Sequence, residues 1–129
     1  MENKPRLLIV DDEPIVCRMA RRSLEHEGYE VVTFTDSVKA LAAIQAERFD
    51  VIITDLKMKD VDGMQLLAAA KDKWPDIPVI MLTAFATMDT AVESLRKRAF
   101  DYFSKPVKID ELKASVKRAL GGAPPGDSA

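Results

Sequence analysis

The sequence has few of the residues that several common kinds of functional site require. Its 129 residues include one cysteine and one histidine, which excludes an internal disulfide and leaves too few ligands for a zinc site. Only five glycines are present, and they form neither a dinucleotide-binding Gly-x-Gly-x-x-Gly pattern nor a P-loop. No serine has a histidine partner that suggests a nucleophilic triad. The candidate reactive groups are therefore carboxylates, hydroxyls and amines.

Long apolar runs and a strong charge of one sign are also missing. No apolar run approaches the roughly 20 residues that a membrane span needs. The first run is short and ends in two aspartates, unlike a signal peptide. A net charge of -2 gives no general attraction to nucleic acid or anionic membranes. With a single cysteine, we expect a cytoplasmic domain that binds neither membrane nor nucleic acid directly.

Strand-like and helix-like segments alternate along the chain. Strands are predicted over residues 6–11, 29–34, 50–54, 78–83 and 101–104. Helices are predicted over 14–27, 87–97 and 109–120. A second helix is predicted to begin at a cap formed by Asp36 or Ser37, and a third to run through 66–70 and stop before Trp74. Five such units favour one parallel sheet with helices on both faces. The domain is predicted to span 1–120, with 121–129 as a flexible tail or the start of a linker.

Reactive side chains stand at the ends of four predicted strands. Asp11 and Asp12 end the first strand, Asp55 the third, Thr83 the fourth and Lys105 the fifth. Taken singly, Asp12 could be a helix cap and Thr83 a turn residue. Because the carboxyl ends of parallel strands meet at one edge, where open α/β sheets bind ligands, the set predicts one shared pocket.

The predicted pocket suits phosphoryl chemistry around a hard cation. Neighbouring carboxylates raise one another's proton affinity unless a cation compensates. Oxygen ligands favour Mg²⁺, with Mn²⁺ as a possible substitute. A lysine and a threonine would then neutralise and hydrogen-bond the phosphate oxygens that the ion leaves free. One aspartate is a candidate nucleophile that becomes an acyl phosphate.

Four stretches of sequence carry a family resemblance: Leu8–Pro14, Asp55–Met58 with Asp62-Gly63 behind it, Leu82–Ala84 and Asp101–Pro106. Together they resemble the receiver domain of two-component response regulators over residues 5–120. Residues 83–92 look most like receivers of nitrogen-regulator-type transcription activators. The resemblance implies a flavodoxin-like fold, a doubly wound five-stranded parallel sheet of order 2-1-3-4-5 with five helices.

The resemblance also implies a role for each site residue. Asp55 would accept a phosphoryl group from a sensor histidine kinase or a phosphotransfer protein. Magnesium would be held by Asp11, Asp12, Asp55 and the backbone carbonyl of Lys57. Phosphoryl oxygens would be contacted by Lys105 and Thr83, and Phe103 would be the aromatic switch that turns as Thr83 moves.

The same resemblance implies how the domain responds to the negative charge of the phosphoryl group. The face of the fourth helix, fifth strand and fifth helix would change, and would form a homodimer or contact an output domain beyond residue 129. The domain is not expected to be an enzyme, beyond catalysing its own phosphoryl transfer and dephosphorylation.

Two other functions stay open at this point. A pseudo-receiver would act as a protein-interaction module without phosphorylation, although an unpaired acidic cluster is costly to keep. A phosphohydrolase would need an acid/base aspartate two residues after the nucleophile, where Lys57 stands.

Two positions depart from the usual family pattern. Lys59 follows Met58 where proline is usual, and Arg98 stands where glycine is common. If Arg98 keeps a positive φ, the strain costs about 1 kcal/mol. Otherwise the fourth helix simply runs longer.

Overall fold

The computed structural model describes residues 4–121, which form five strands and five helices in alternation. The strands are β1 (Arg6–Val10), β2 (Glu30–Phe34), β3 (Val51–Asp55), β4 (Val79–Thr83) and β5 (Asp101–Ser104). The helices are α1 (Pro14–His26), α2 (Ser37–Ala46), α3 (Gly63–Lys73), α4 (Met88–Arg96) and α5 (Ile109–Ala119). Apart from Gly121, the predicted tail lies outside the described residues.

The strands form one parallel sheet in the order β2-β1-β3-β4-β5. This confirms the predicted flavodoxin-like topology. The central strands β3 and β4 are buried along their whole length, as expected for continuous apolar runs covered on both faces. The strand ends differ slightly from the prediction, because Asp11 lies just beyond β1 whereas Asp55 is the last residue of β3.

The core has two halves because successive strand residues point to opposite faces. One face packs against α1 and α5, with Leu24 and Val116 among its buried side chains. The other packs against α2 and α3, with Ile44 and Leu66 among them. Burial of each such side chain stabilises the fold by about 1.5–3 kcal/mol. None of the helices in residues 4–121 combines the length and the apolar character of a membrane span.

The helix ends settle two points that the sequence left open. Asp36, not Ser37, caps α2, since its side chain accepts hydrogen bonds from the backbone of Val38 and Lys39. Helix α4 ends at Arg96, and Arg98 has φ 67°. Arg98 therefore takes the left-handed conformation, and the alternative of a longer fourth helix is wrong; the helix predicted over 87–97 differs from the observed one by a single residue at each end.

Candidate functional site

Three aspartates meet at the carboxyl edge of the sheet. Asp11 and Asp12 follow β1 directly, and Asp55 ends the neighbouring β3. One carboxylate oxygen from each lies within 4.8 Å of the other two. Asp11 and Asp55 are buried, with 1% and 5% of their surface exposed, whereas Asp12 is open to solvent. The result is a compact acidic cluster with one exposed side.

Lys105 reaches into this cluster from the end of β5. Its Nζ lies 2.6 Å from Asp11 Oδ2 and 3.3 Å from Asp55 Oδ2. The backbone N–H of Lys105 donates to the carbonyl of Thr83 at 2.8 Å, and this hydrogen bond fixes the position of the Lys105 backbone. The structure thus brings together residues that are far apart in the sequence.

Glu13 is a further partner of Lys105 that the sequence did not single out. Its Oε1 lies 3.0 Å from Lys105 Nζ. The run Asp11-Asp12-Glu13 at a strand end was the available signal, but acidic residues are also common in the first turn of a helix. Three carboxylates, Asp11, Glu13 and Asp55, thus contact one ammonium group, and Asp12 adds a fourth negative charge to the cluster.

The electrostatics of the site follow from burial. Burial and the neighbouring Asp11 raise the pKa of Asp55 to about 6, and burial also raises the pKa of Asp11. Burial alone would lower the pKa of Lys105, but its close contacts with the Asp11 and Glu13 carboxylates outweigh this and raise it. Lys105 therefore stays charged, whereas the two buried carboxylates are poorly stabilised as anions.

The donor set fits a hard divalent cation. Among residues 4–121, the fully buried Asp11 Oδ2 has no hydrogen-bond donor. Lys105 Nζ lies close enough for an ion pair with it but is poorly aligned for a hydrogen bond. Carboxylate oxygens are ligands that suit Mg²⁺ or Mn²⁺. Asp11, Asp12 and Asp55 would hold such an ion, which would neutralise the charge that Lys105 leaves unbalanced.

The loop between β3 and α3 is held close to Asp55. The backbone N–H of Gly63 donates to the carbonyl of Leu56 at 2.8 Å. A Cβ atom at Gly63 would stand 2.4 Å from the carbonyl oxygen of Asp55, so glycine is required for this close approach. Lys57 lies inside the loop with an exposed side chain, and its predicted backbone ligation stays a prediction.

Thr83 closes β4 beside the acidic cluster and is fully buried. Its hydroxyl oxygen accepts a hydrogen bond from the backbone N–H of Phe85 at 2.9 Å. The side chain is therefore held at the start of the segment that leads into α4.

The structure corrects the predicted aromatic switch. Phe103 packs on the α1/α5 face, with Leu82 and Leu112. Thr83 follows Leu82 and so points to the opposite face. Phe103 cannot turn into space beside Thr83, because the sheet lies between them.

Tyr102 is the aromatic side chain on the correct face. It pairs with Met81 in the β4–β5 register, and both side chains pack in the core half that faces α2 and α3. Its hydroxyl lies 2.6 Å from Thr90 Oγ1 in the first turn of α4. Strict alternation from Thr83 across the β4–β5 register would have identified it, but the sequence alone does not give that register.

The family model for the response regulator receiver domain matches residues 7–117. This chain belongs to that family. The receiver is 36% identical over 117 residues to the DNA-binding transcriptional regulator NtrC of Proteus hauseri, covering 91% of this chain and 25% of that protein. It is 37% identical over 126 residues to the transcriptional regulatory protein GlrR of Escherichia coli strain K12, covering 97% and 28%. It therefore spans about a quarter of their length.

Solved receiver structures show the same fold. A receiver domain protein from Methanospirillum hungatei has a TM-score of 0.87 and 35% identity, with 92% of this chain and 94% of that chain covered. The response regulator TrrA from Thermotoga maritima, solved in complex with Mg²⁺ and BeF, has a TM-score of 0.81 and 32% identity, with 90% and 99% covered.

Proposed function

We propose that the receiver accepts a phosphoryl group on Asp55, from a sensor histidine kinase or a phosphotransfer protein, in a Mg²⁺-dependent reaction. The observation that carries the proposal is the position of Lys105 Nζ, within 3.3 Å of Asp55 and 2.6 Å of Asp11. A nucleophile, a counter-charge and a carboxylate set for a hard cation meet at one edge. Phosphoryl transfer needs little more than such positioning and charge neutralisation.

The proposed step balances as follows. A carboxylate oxygen of Asp55 attacks the phosphorus atom of a phosphohistidine, so an O–P bond forms while the P–N bond breaks. The imidazole nitrogen leaves with the bonding electrons and takes a proton from solvent. Lys105 offsets negative charge on the transferred group, and the Thr83 hydroxyl donates to one of its oxygens once Thr83 reorients.

Magnesium held by Asp11, Asp12 and Asp55 would supply further charge neutralisation. Hydrolysis of the acyl phosphate returns the receiver to its resting form. In this proposal the receiver catalyses only its own phosphorylation and dephosphorylation.

A small acyl-phosphate donor tests the proposal. With acetyl phosphate and Mg²⁺, intact-mass spectrometry should show one phosphoryl group on the wild-type chain. Chelation with EDTA and the substitution Asp55→Asn should each abolish it, whereas Asp72→Asn, on the exposed side of α3, should not. A phosphorylation-independent interaction module would gain no phosphoryl group. A phosphohydrolase would instead release phosphate continuously from unrelated esters.

The switch in this proposal runs through Tyr102, not Phe103. Thr83 would leave the Phe85 N–H to contact the phosphoryl group, and Tyr102 would move into the space beside it. Because the Tyr102 hydroxyl is bonded to Thr90, that motion would disturb the first turn of α4. A local charge would thereby bias a two-state element.

The output surface in this proposal is the face of α4, β5 and α5. The large apolar side chains of Met88 and Leu95 in α4 are exposed by 78% and 65%, and that of Phe85, just before α4, by 65%. Such a surface suits a homodimer or contact with an output domain. Phosphorylation should therefore shift the amide resonances of residues 84–110 and raise the dimer fraction in sedimentation. An unchanged spectrum in that range would refute the switch without refuting phosphorylation.

A further inference from the structure

Ser37 makes two hydrogen bonds that do not belong to its own helix. Its Oγ donates to the carbonyl oxygen of Lys59 at 2.7 Å and accepts from the backbone N–H of Val61 at 3.1 Å. The side chain is buried, with 4% of the residue exposed. Since Asp36 caps α2, the Ser37 hydroxyl is left to bind the loop between β3 and α3.

The two bonded groups flank a residue with an unfavourable backbone. Asp60 lies between Lys59 and Val61 and has φ 70°. A non-glycine residue keeps this left-handed conformation only where its surroundings hold it. One hydroxyl therefore fixes the chain on both sides of the turn at Asp60.

That turn belongs to the loop that follows the acceptor. The near end of the loop is anchored, because the N–H of Leu56 donates to the carbonyl of Leu82 at 2.8 Å and the carbonyl of Leu56 accepts from Gly63 at 2.8 Å. Lys57 and Met58 lie between this anchor and the groups held by Ser37. Their backbone position depends on both attachments.

We infer that Ser37 is a positioning residue for the metal site. By fixing the backbone at Lys59 and Val61, it restricts where the Lys57 carbonyl can lie in the loop that follows Asp55. This inference rests on the proposed function, in which Lys57 contributes its carbonyl to the Mg²⁺ site. It assigns the role to a side chain from α2, an element that contributes no ligand of its own.

The experiment compares the wild type with Ser37→Ala, with Ser37→Thr, which keeps the hydroxyl, and with Val38→Ala. Val38 is in the same helical turn but exposed, so it is a matched control. Amide exchange of Val61 is measured by NMR in EDTA, and the affinity for Mg²⁺ alone is measured by calorimetry. Ser37→Ala should speed Val61 exchange about five-fold, the effect of losing one hydrogen bond.

The same variant should weaken Mg²⁺ binding roughly 10-fold, as substitutions beside metal ligands do. Ser37→Thr should restore both values, and Val38→Ala should change neither. Faster Val61 exchange with unchanged Mg²⁺ affinity would overturn the inference and leave the proposed function standing. If the wild type binds no Mg²⁺, the proposed function fails and the inference fails with it.

Discussion

The centre of the sheet and its β5 edge are packed very differently. Every residue of β3 and β4 is buried, whereas β5 has none that is fully buried. In α4, all of which lies in the described part of the chain, Ser94 alone is buried. Regions with little apolar burial open at low free-energy cost. The candidate acceptor is thus attached to the rigid region, and the proposed switch surface lies in the region that can rearrange.

Truncating one leucine of α3, which packs on the central strands, and one of α4, which lies beside β5, tests this contrast most directly. Leu66→Ala removes a fully buried side chain and should lower the free energy of unfolding by about 3 to 4 kcal/mol. Leu95→Ala removes an exposed one and should change it by less than about 0.5 kcal/mol. Urea unfolding followed by circular dichroism measures both. Similar losses for the two variants would contradict the difference in packing.

A second test adds volume to the rigid region. Gly63→Ala places a Cβ 2.4 Å from the carbonyl oxygen of Asp55 and 2.9 Å from Leu56 Cα. Because backbone must move to admit it, the free energy of unfolding should fall by about 3 kcal/mol. Gly28→Ala, where a Cβ meets open space but φ is +96°, measures the cost of backbone strain alone, about 1 kcal/mol, and should lose less stability than Gly63→Ala. Equal thermal melts for Gly63→Ala and the wild type would show that the loop is not tightly held.

The raised pKa of Asp55 predicts how stability depends on pH in the metal-free protein. With a pKa of about 6 in the folded state and an ordinary value when unfolded, Asp55 holds its proton to higher pH in the folded chain. Its contribution therefore makes the fold less stable as pH rises from about 4 to about 6, by about 3 kcal/mol.

Urea unfolding in EDTA at pH 5 and pH 7 measures this effect. Asp55→Asn should remove most of the pH dependence and stabilise the protein at pH 7, whereas the exposed Asp72→Asn should not. A wild-type chain that gains stability between pH 5 and pH 7 would contradict the prediction.

In the β5 region, Ser94→Ala should be stabilising. Within residues 4–121, Ser94 Oγ is fully buried and has no hydrogen-bond partner. Alanine removes this unsatisfied hydroxyl and is a better helix former, so the free energy of unfolding should rise by about 1.5 kcal/mol. Ser115→Ala is the contrasting variant, because Ser115 Oγ donates to Asp101 at 2.8 Å, and it should be destabilising.

The smallest expected effect is at Arg98. Its φ of 67° is a conformation that glycine adopts without strain, so Arg98→Gly should raise the free energy of unfolding by about 1 kcal/mol. Arg98→Ala keeps the strain while removing the charge, and it separates the two contributions. A loss of stability in thermal melts of Arg98→Gly would contradict this prediction, because the Arg98 side chain would then stabilise the fold by more than the backbone strain destabilises it.

Sequence reasoning succeeded where one physical signal dominated. The runs of β3 and β4 are apolar throughout because both faces of those strands are covered, and the topology follows from the alternation with helices. The prediction of the aromatic switch failed in β5, where Tyr102 and Phe103 are adjacent aromatic residues. Only the β4–β5 register shows which of the two lies on the same face of the sheet as Thr83. Sequence reasoning also missed Glu13 and Ser37, whose partners are distant in sequence. At Arg98 no glycine marks the end of α4, so the boundary was ambiguous.

The location of Asp55 within the sheet has one further consequence. Neighbours pair with β3 on both sides, so an anion attached at its last residue cannot be accommodated by shifting the acceptor itself. In the proposed function the response would be a displacement of Thr83 and Lys105, which lead to the loosely covered edge. If the proposed function holds, chemistry and signal output should be separable by mutation: variants that switch permanently on should arise around Thr90 with every acidic side chain intact.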